Sequence, residues 1–462
     1  MSTEHYKNVI IGSGEGGKYL AWHLAQSGEQ TMMIERRWIG GSCPNVNCLP
    51  AKNEIWSAKV ADLARHARDF GTVTGPVSID MEGVRRRKRE MVEALVAVHV
   101  NKYKSTGTEL VMGQATFTGP KTLVVELNDG GERTITADRI FLNLGTHAAI
   151  PSVPGLQEAA PMTHIEILEL DRLPEHLIVI GGGYVGLEFA QAYRRFGSKI
   201  TILQRSAQLI PNEDPDVAEE LQRLLASEGI DVMTSTDLLQ VKGHSGQVSL
   251  TVRTPQGESE IVGSHLLAAT GRIPNTTGVG LELAGVEVNE AGWLKVNDRL
   301  ETTAAEIWAI GECAGSPQFT HASMDDFRII RDNLAGGKRS TRDRLMPSCL
   351  YTDPQVAHVG LSEVEAKRRS IPVHVARLPM ASVLRTRTIS ETNGFMKALL
   401  APGDGRILGF TMIGAEAGEV MTVVQMAIQA NATYKVLRDA VIAHPTMAEG
   451  LNVLFSTFKE PI

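Results

Sequence analysis

At 462 residues, with 43% hydrophobic and 21% charged residues, the chain is long enough for about three domains around a sizeable core. A net charge of −7 argues against nucleic acid as the main partner, and the one basic run, Arg85-Arg86-Arg87-Lys88-Arg89, reads as a solvated helix face leading to Met91, Leu95 and Val98, with a local anionic contact as the lesser alternative. Four cysteines (Cys43, Cys48, Cys313, Cys349) are too few for a secreted disulfide framework; with no signal peptide over residues 1–7 and no run near the roughly 20 apolar residues of a membrane span, a cytoplasmic protein without a membrane partner is expected.

Residues 8–11 form a short apolar strand pattern. Gly12-Ser13-Gly14-Glu15-Gly16-Gly17 follows, then a helical pattern over 19–25 and a second apolar run, 31–34, ending at Glu35. Strand, glycine turn, helix, strand and acid is the setting in which a G-x-G-x-x-G match carries meaning. Gly12, Gly14 and Gly17 let the backbone approach a pyrophosphate at the helix N-terminus. Glu35, 18 residues past Gly17, is placed to accept from a ribose hydroxyl.

Next comes Gly41-Ser42-Cys43-Pro44-Asn45-Val46-Asn47-Cys48-Leu49-Pro50-Ala51-Lys52. Five steps along an ideal helix separate two α-carbons by about 7.5 Å, and a disulfide spans no more than about 6.8 Å. Cys43 is therefore expected at a distorted helix entrance and Cys48 just inside it. Pro44 suits the first helical position, and a helix N-terminus favours a thiolate. In a reducing compartment such a pair reads as catalytic or metal-binding. Beside a flavin, a dithiol can pass two electrons between a nicotinamide and a substrate.

Residues 113–145 read as a β-meander with strands over 122–127, 134–136 and 138–144. The nucleotide pattern then recurs: a strand over 176–180, the turn Gly181-Gly182-Gly183-Tyr184-Val185-Gly186, a helix over 187–196 and a strand over 199–203. Gln204 follows Gly186 by the same 18 residues. Two such units in register imply two bound nucleotides. A hairpin is expected over 248–252 and 258–262, strands over 266–269 and 307–310, and α+β character beyond about residue 340.

By these residues the chain resembles the flavoprotein disulfide reductases: glutathione reductase, dihydrolipoamide dehydrogenase and mercuric reductase. The resemblance runs end to end, through both fingerprints, the Cys-x4-Cys segment, Ala269-Thr270-Gly271-Arg272-Ile273-Pro274-Asn275, Ala309-Ile310-Gly311-Glu312, Tyr351-Thr352-Asp353-Pro354-Gln355-Val356-Ala357 and His444-Pro445-Thr446-Met447-Ala448-Glu449. Pro317-Gln318-Phe319-Thr320 and Ser348-Cys349-Leu350-Tyr351 carry a nearer similarity to mercuric reductase and its relatives. The implied fold is α/β: two Rossmann-like domains, for FAD and NAD(P), and an α+β dimerisation domain. The implied limits are 1–150 and 276–340 for the FAD-binding parts, 151–275 for the NAD(P) domain and 341–462 for the dimerisation domain.

The resemblance also implies roles. Cys48 faces the flavin and Cys43 the substrate. His444, oriented by Glu449 and supplied by the other subunit of a homodimer, exchanges the proton. Lys52 sits by the flavin paired with Glu188, and Tyr184 gates the nicotinamide. Thr320 and His321 begin a helix aimed at the ring. Gly41, Ser42, Ala115, Gly145 and Glu312 join the FAD contacts. Gly181, Gly183, Tyr184, Val185, Gln204, Arg205 and Gly271 join the nucleotide contacts; no resident metal is implied. Cys313 and Cys349 are expected to be small buried residues.

Several positions depart from the family pattern: Glu312 replaces aspartate, Asn143-Leu144-Gly145 replaces Ala-Thr-Gly, and Asn47 replaces glycine. The chain as given shows neither the metal-binding module of mercuric reductase proper nor its C-terminal cysteine pair, ending instead Phe455-Ser456-Thr457-Phe458-Lys459-Glu460-Pro461-Ile462, so Hg(II) handling is not expected to follow that route. Gln204 removes the acid that selects NAD and Arg205 can bind a 2′-phosphate, which favours NADP over NAD. Only one arginine stands there, because Pro211 occupies a second phosphate-binding position. The expected reaction is transfer from NAD(P)H through Cys43–Cys48 to a small-molecule disulfide, a metal ion or a small oxidant. The alternatives are a dithiol oxidase or a dihydrolipoamide-dehydrogenase-like subunit working in the opposite direction, and a binding protein that keeps the flavin fold without turnover.

Overall fold

The computed structural model describes residues 3–458; Lys459, Glu460, Pro461 and Ile462, part of the terminus read above, lie outside the described residues. The chain forms two compact units. One comprises residues 1–54, 82–149 and 271–344, the other 55–81, 150–270 and 345–462.

In the first unit, Glu4–Ile11 is flanked by Thr31–Glu35 and Glu132–Leu142, with Glu109–Gly119 and Ile307–Ala309 outside them, all parallel. Their near-continuous apolar runs suit a sheet covered on both faces; Val9, Ile10, Met32, Met33, Ile140 and Phe141 are fully buried. Thr122–Leu127 joins Glu109–Gly119 to Glu132–Leu142 as an antiparallel meander. The two short strands expected over 134–144 are one strand, because Asp138 takes an exposed place in the alternation and does not break it. The basic run lies on the helix Met81–Thr106. Arg86, Arg87 and Arg89 are exposed, but Lys88 is buried, so the run is not a uniformly solvated face.

The second unit repeats the nucleotide-binding arrangement with a four-stranded parallel sheet: His265–Ala268, His176–Ile180, Lys199–Leu203 and Ile230–Met233. The expected hairpin is there, as Gln247–Thr254 and Gly257–Gly263, with Asp237–His244 added as a third strand. Residues 348–414 supply a five-stranded antiparallel sheet. The helix Ala417–Gln429 covers it with Ala417, Val420, Met421, Val424 and Ala427, the i, i+3, i+4, i+7 stripe of a core-facing helix.

The two nucleotide units are duplicates at atomic detail. Gly12 N donates to Ile34 O and Gly181 N to Leu203 O, both at 2.8 Å. Both glycines have positive φ (+97° and +111°), and a Cβ on either would lie 2.2 Å from Asn143 O or 2.4 Å from Ala269 O. A Cβ on Gly17 or Gly186 would strike the carbonyl of Gly12 or Gly181, at 2.5 and 2.2 Å. Only hydrogen fits at these four positions.

Candidate active site

The dithiol segment lies against the first glycine turn: a Cβ on Gly41 (φ +79°) would come 2.6 Å from Gly14 Cα. Ser42–Asn45 is a single helical turn, Val46 breaks it at φ −140°, and Cys48 opens the long helix Cys48–Arg65. Cys43 thus occupies a separate turn rather than the entrance of one distorted helix. Pro44 is the third residue of that turn rather than the first, where an amide hydrogen is still not needed. Asn45 Nδ2 ties the segment by donating to Ile39 O and Gly41 O at 3.0 and 2.8 Å. Asn47 has no positive φ, so the position does not require the family's glycine.

The break brings the sulfurs together. Cys43 and Cys48 share a hydrogen bond, and that bond, with burial, pushes the Cys43 thiol well above its ordinary range. The neighbouring sulfur thus acts against the helix terminus, raising the Cys43 thiol where the terminus alone would lower it. Thr320 Oγ1, on the first residue of the helix Thr320–Leu334, stands 3.2 Å from Cys48 Sγ. His321 is exposed and stacks on Phe319, with ring centroids 5.0 Å apart.

The acid at the end of the second strand faces inward. Glu35 Oε2 accepts from Ser13 N and Ser13 Oγ at 2.9 and 2.7 Å, and Oε1 from Arg37 N and Trp38 N at 2.8 and 3.1 Å. Four donors match the lone-pair capacity of a carboxylate, so a ribose hydroxyl reaches Glu35 only by sharing. Gln204 does the same in the second unit: Oε1 accepts from Gly182 N at 2.9 Å and Nε2 donates to Gln208 O at 3.2 Å. Arg205 is exposed and forms no ion pair with a described residue.

Asn143 has a purpose that the sequence signalled only as a departure. Its Oδ1 accepts from Gly17 N at 3.1 Å and its Nδ2 donates to Ile310 O at 2.9 Å, stitching the first turn to the strand 307–309. Ser323 Oγ accepts from Gly16 N at 3.0 Å. Glu312 is held by the Thr146 hydroxyl and by Arg272 Nε at 3.1 Å. Ala115 is buried in its strand opposite Val125.

The residues fit an FAD. The amides of Gly14 and Glu15, at the start of the helix Glu15–Gln26, have no acceptor among the described residues, which is an anion site in search of an anion. A Cβ on Gly145 would meet nothing nearer than 4.0 Å. The second turn is equally open at Gly183, where nothing lies within 4 Å of a Cβ; in the first unit the same holds at Gly271. Tyr184 and Val185 begin the helix Tyr184–Phe196 just after Gly183. Tyr184 OH lies 3.4 Å from Glu213 Oε1.

Glu188 is buried on that helix and accepts from Tyr351 N at 2.9 Å. Lys52 is half-buried; it belongs to the first unit and Glu188 to the second. His444 is exposed, with Nδ1 3.0 Å from both oxygens of Glu449. This fixes one face of the ring and leaves Nε2 directed away from the carboxylate. Cys313 is fully buried, its thiol pushed up to about 11 by burial. Cys349 is only half-buried, at variance with expectation.

Among the described residues, one group of carboxylates lies close enough to hold a cation: Asp214, Asp216 and Glu363. The Lys397 ammonium fills it, at 2.8, 2.8 and 2.7 Å. No helix among the described residues is long and apolar enough to cross a membrane.

Comparison with known proteins identifies the family. Residues 6–326 match the pyridine nucleotide-disulphide oxidoreductase family and residues 346–454 its dimerisation domain. The chain is 35% identical to the probable pyridine nucleotide-disulfide oxidoreductase RclA of Escherichia coli, over 98% of this chain and 99% of that protein. It is 34% identical to a mercuric reductase of Acidithiobacillus ferrooxidans, over 98% and 83%. A solved Cu(II) complex of the HOCl-induced flavoprotein disulfide reductase RclA from Escherichia coli superposes with a TM-score of 0.90, covering 99% of this chain and 100% of that one at 34% identity. With a family model matched over residues 6–326, its dimerisation domain over 346–454 and a relative 35% identical over 98% of the chain, the chain belongs to the pyridine nucleotide-disulphide oxidoreductase family.

Proposed function

We infer that this enzyme takes electrons from NADPH, in preference to NADH, and passes them through Cys43 and Cys48 to a disulfide, a soft metal ion or another small oxidant. The observation that carries this reading is the hydrogen-bonded sulfur pair on a segment packed against Gly14. A metal-ion acceptor draws support from relatives named mercuric reductase and from the relative solved with Cu(II). FAD, when bound, supplies the two-electron link between nicotinamide and dithiol. Gly12, Gly14, Gly17, Gly41, Ser42, Ala115, Gly145, Glu312, Thr320 and His321 would hold it, and the Lys52 ammonium would place positive charge beside it. Gly181, Gly183, Val185, Gln204, Arg205 and Gly271 receive the nicotinamide nucleotide, and Tyr184 covers its docking face.

The chain's own residues then account for exchange with a disulfide. Cys43 loses its proton to His444 of the partner subunit and attacks one sulfur of the acceptor, expelling the other as a thiolate that takes that proton back. Cys48 gives up its own proton and closes on Cys43, releasing the second thiolate, which takes that proton and leaves the protein disulfide. Two electrons leave the dithiol and two thiols are made. Glu449 keeps the imidazole oriented and steadies its charged form. Exposed Val423, Met426 and Val436 supply apolar surface for the homodimer this requires. The reducing cytoplasm is where such a dithiol stays open.

The test is NADPH consumption with Cu(II), Hg(II), oxidised glutathione and lipoamide as acceptors, run with wild type and Cys43→Ser. Turnover with at least one acceptor is expected to vanish in the variant, and kcat/KM for NADPH to exceed that for NADH. Turnover that survives Cys43→Ser overturns the dithiol route.

A further inference from the structure

The segment that follows the second nucleotide strand is bound tightly to the second glycine turn. Gly182 N donates to Gln204 Oε1, and Ile210 N donates back to Gly182 O at 2.9 Å. Gln208 Nε2 donates to Glu213 O at 3.0 Å and Glu213 N to Ile210 O at 2.9 Å. The next residue, Asp214, is buried, paired with Lys397, and accepts from Glu363 N and Val364 N. The backbone on either side of Glu213 is therefore fixed by contacts that do not use its side chain. That side chain is turned to the hydroxyl of Tyr184, which Ser348 also reaches.

We propose that Glu213 is the positioning residue of the Tyr184 gate: its carboxyl holds the phenol in the resting position, and nicotinamide docking must break that contact. This rests on the reading of Tyr184 as the ring that covers the nicotinamide face. The geometry favours a latch over a structural strut. The hydroxyl sits at the tip of a half-buried side chain on the first residue of its helix, next to the open Gly183. The same stretch that carries Glu213 begins at Gln204 and Arg205, the residues proposed above to receive the nucleotide.

Truncating Glu213 leaves every backbone contact of the segment in place and removes the acceptor together with its charge beside His358, Asp214 and Lys397. One hydrogen bond shared with Ser348 corresponds to about a threefold to fivefold change in an equilibrium. The experiment measures NADP+ dissociation constants from the flavin absorbance change in the FAD-loaded dimer. Glu213→Ala is expected to tighten binding about threefold to fivefold, with a matching fall in KM for NADPH and little change in kcat. Glu213→Gln, which keeps an acceptor, is expected to stay near wild type. Tyr184→Phe is expected to match Glu213→Ala, and the double variant to match either single one.

Additive effects, or a Glu213→Ala constant equal to wild type while Tyr184→Ala shifts it, overturn the latch and leave the gate standing. A Tyr184→Ala constant equal to wild type overturns the gate and the latch with it.

Discussion

Lys397 offers a sharp test of how the second unit is held together. Its ammonium is 1% exposed and meets Asp214, Asp216 and Glu363, which are 2%, 30% and 44% exposed. In Lys397→Met the volume is kept and the cation lost. Asp216 and Glu363 can turn to water, whereas Asp214 cannot. Removing one partner of a buried pair costs about 3–5 kcal/mol. Because Asp214 keeps its two amide donors, the low end applies, about 3 kcal/mol. With an unfolding entropy near 2.1 cal/mol/K per residue, that is roughly 3 °C in Tm if the whole chain melts together, and about 5 °C if only the second unit does.

The sign with pH is fixed by the same geometry. Burial pushes the Asp214 carboxyl up, but the Lys397 hydrogen bond and the two amides outweigh it and hold the carboxyl below its ordinary value. In wild type this contribution is complete above the unfolded value of about 3.9 and is lost as pH falls through the folded one. In the variant burial acts with no cation to oppose it, so ionised Asp214 is the liability and protonation relieves it. Thermal unfolding followed by circular dichroism at pH 7.5 and 5.5 is expected to show a deficit that shrinks at the lower pH. A deficit below about 1 kcal/mol, or one that is the same at both pH values, would refute the argument.

Two further outcomes follow from the site. Gly12→Ala places a Cβ 2.2 Å from Asn143 O at φ +97°, a strain of about 1–3 kcal/mol before the clash is counted; purified protein is expected to lose most of its yellow cofactor, read as the ratio of absorbance at 450 to about 280 nm. Glu449→Gln removes the carboxylate 3.0 Å from His444 Nδ1 and is expected to lower kcat with a disulfide acceptor about tenfold, less than the roughly 100-fold or more of His444→Ala, while reduction of the flavin by NADPH in stopped flow is unchanged.

The elements with the strongest periodicity were legible from sequence. Both glycine turns and their spacing to Glu35 and Gln204 follow from local pattern, because each is built from residues close in the chain, whereas the His444–Glu449 pair was implied by the family resemblance. What was hidden depends on residues far apart. Asn143 lies 126 positions from its partner Gly17, and an asparagine at a strand end announces a polar contact without saying to what. Lys397, in the strand Phe395–Leu400, gives no hint that it is enclosed until Asp214 and Glu363 arrive from 183 and 34 positions away. The break at Val46 escaped because helix spacing excludes a regular helix across Cys43 and Cys48 but does not say where the distortion falls. Glu35 and Gln204 were placed correctly along the chain, yet their side chains serve the backbone first, and no sequence period reports the direction in which a polar tip points.

That last pair has a corollary. In each half a side-chain oxygen at one position props up the glycine hairpin, through Ser13 N in one copy and Gly182 N in the other, and both a carboxylate and a primary amide possess such an oxygen. Exchanging one for the other alters the formal charge offered to an incoming ribose while the scaffold stays intact. The position can therefore carry either Glu or Gln without loss of this prop.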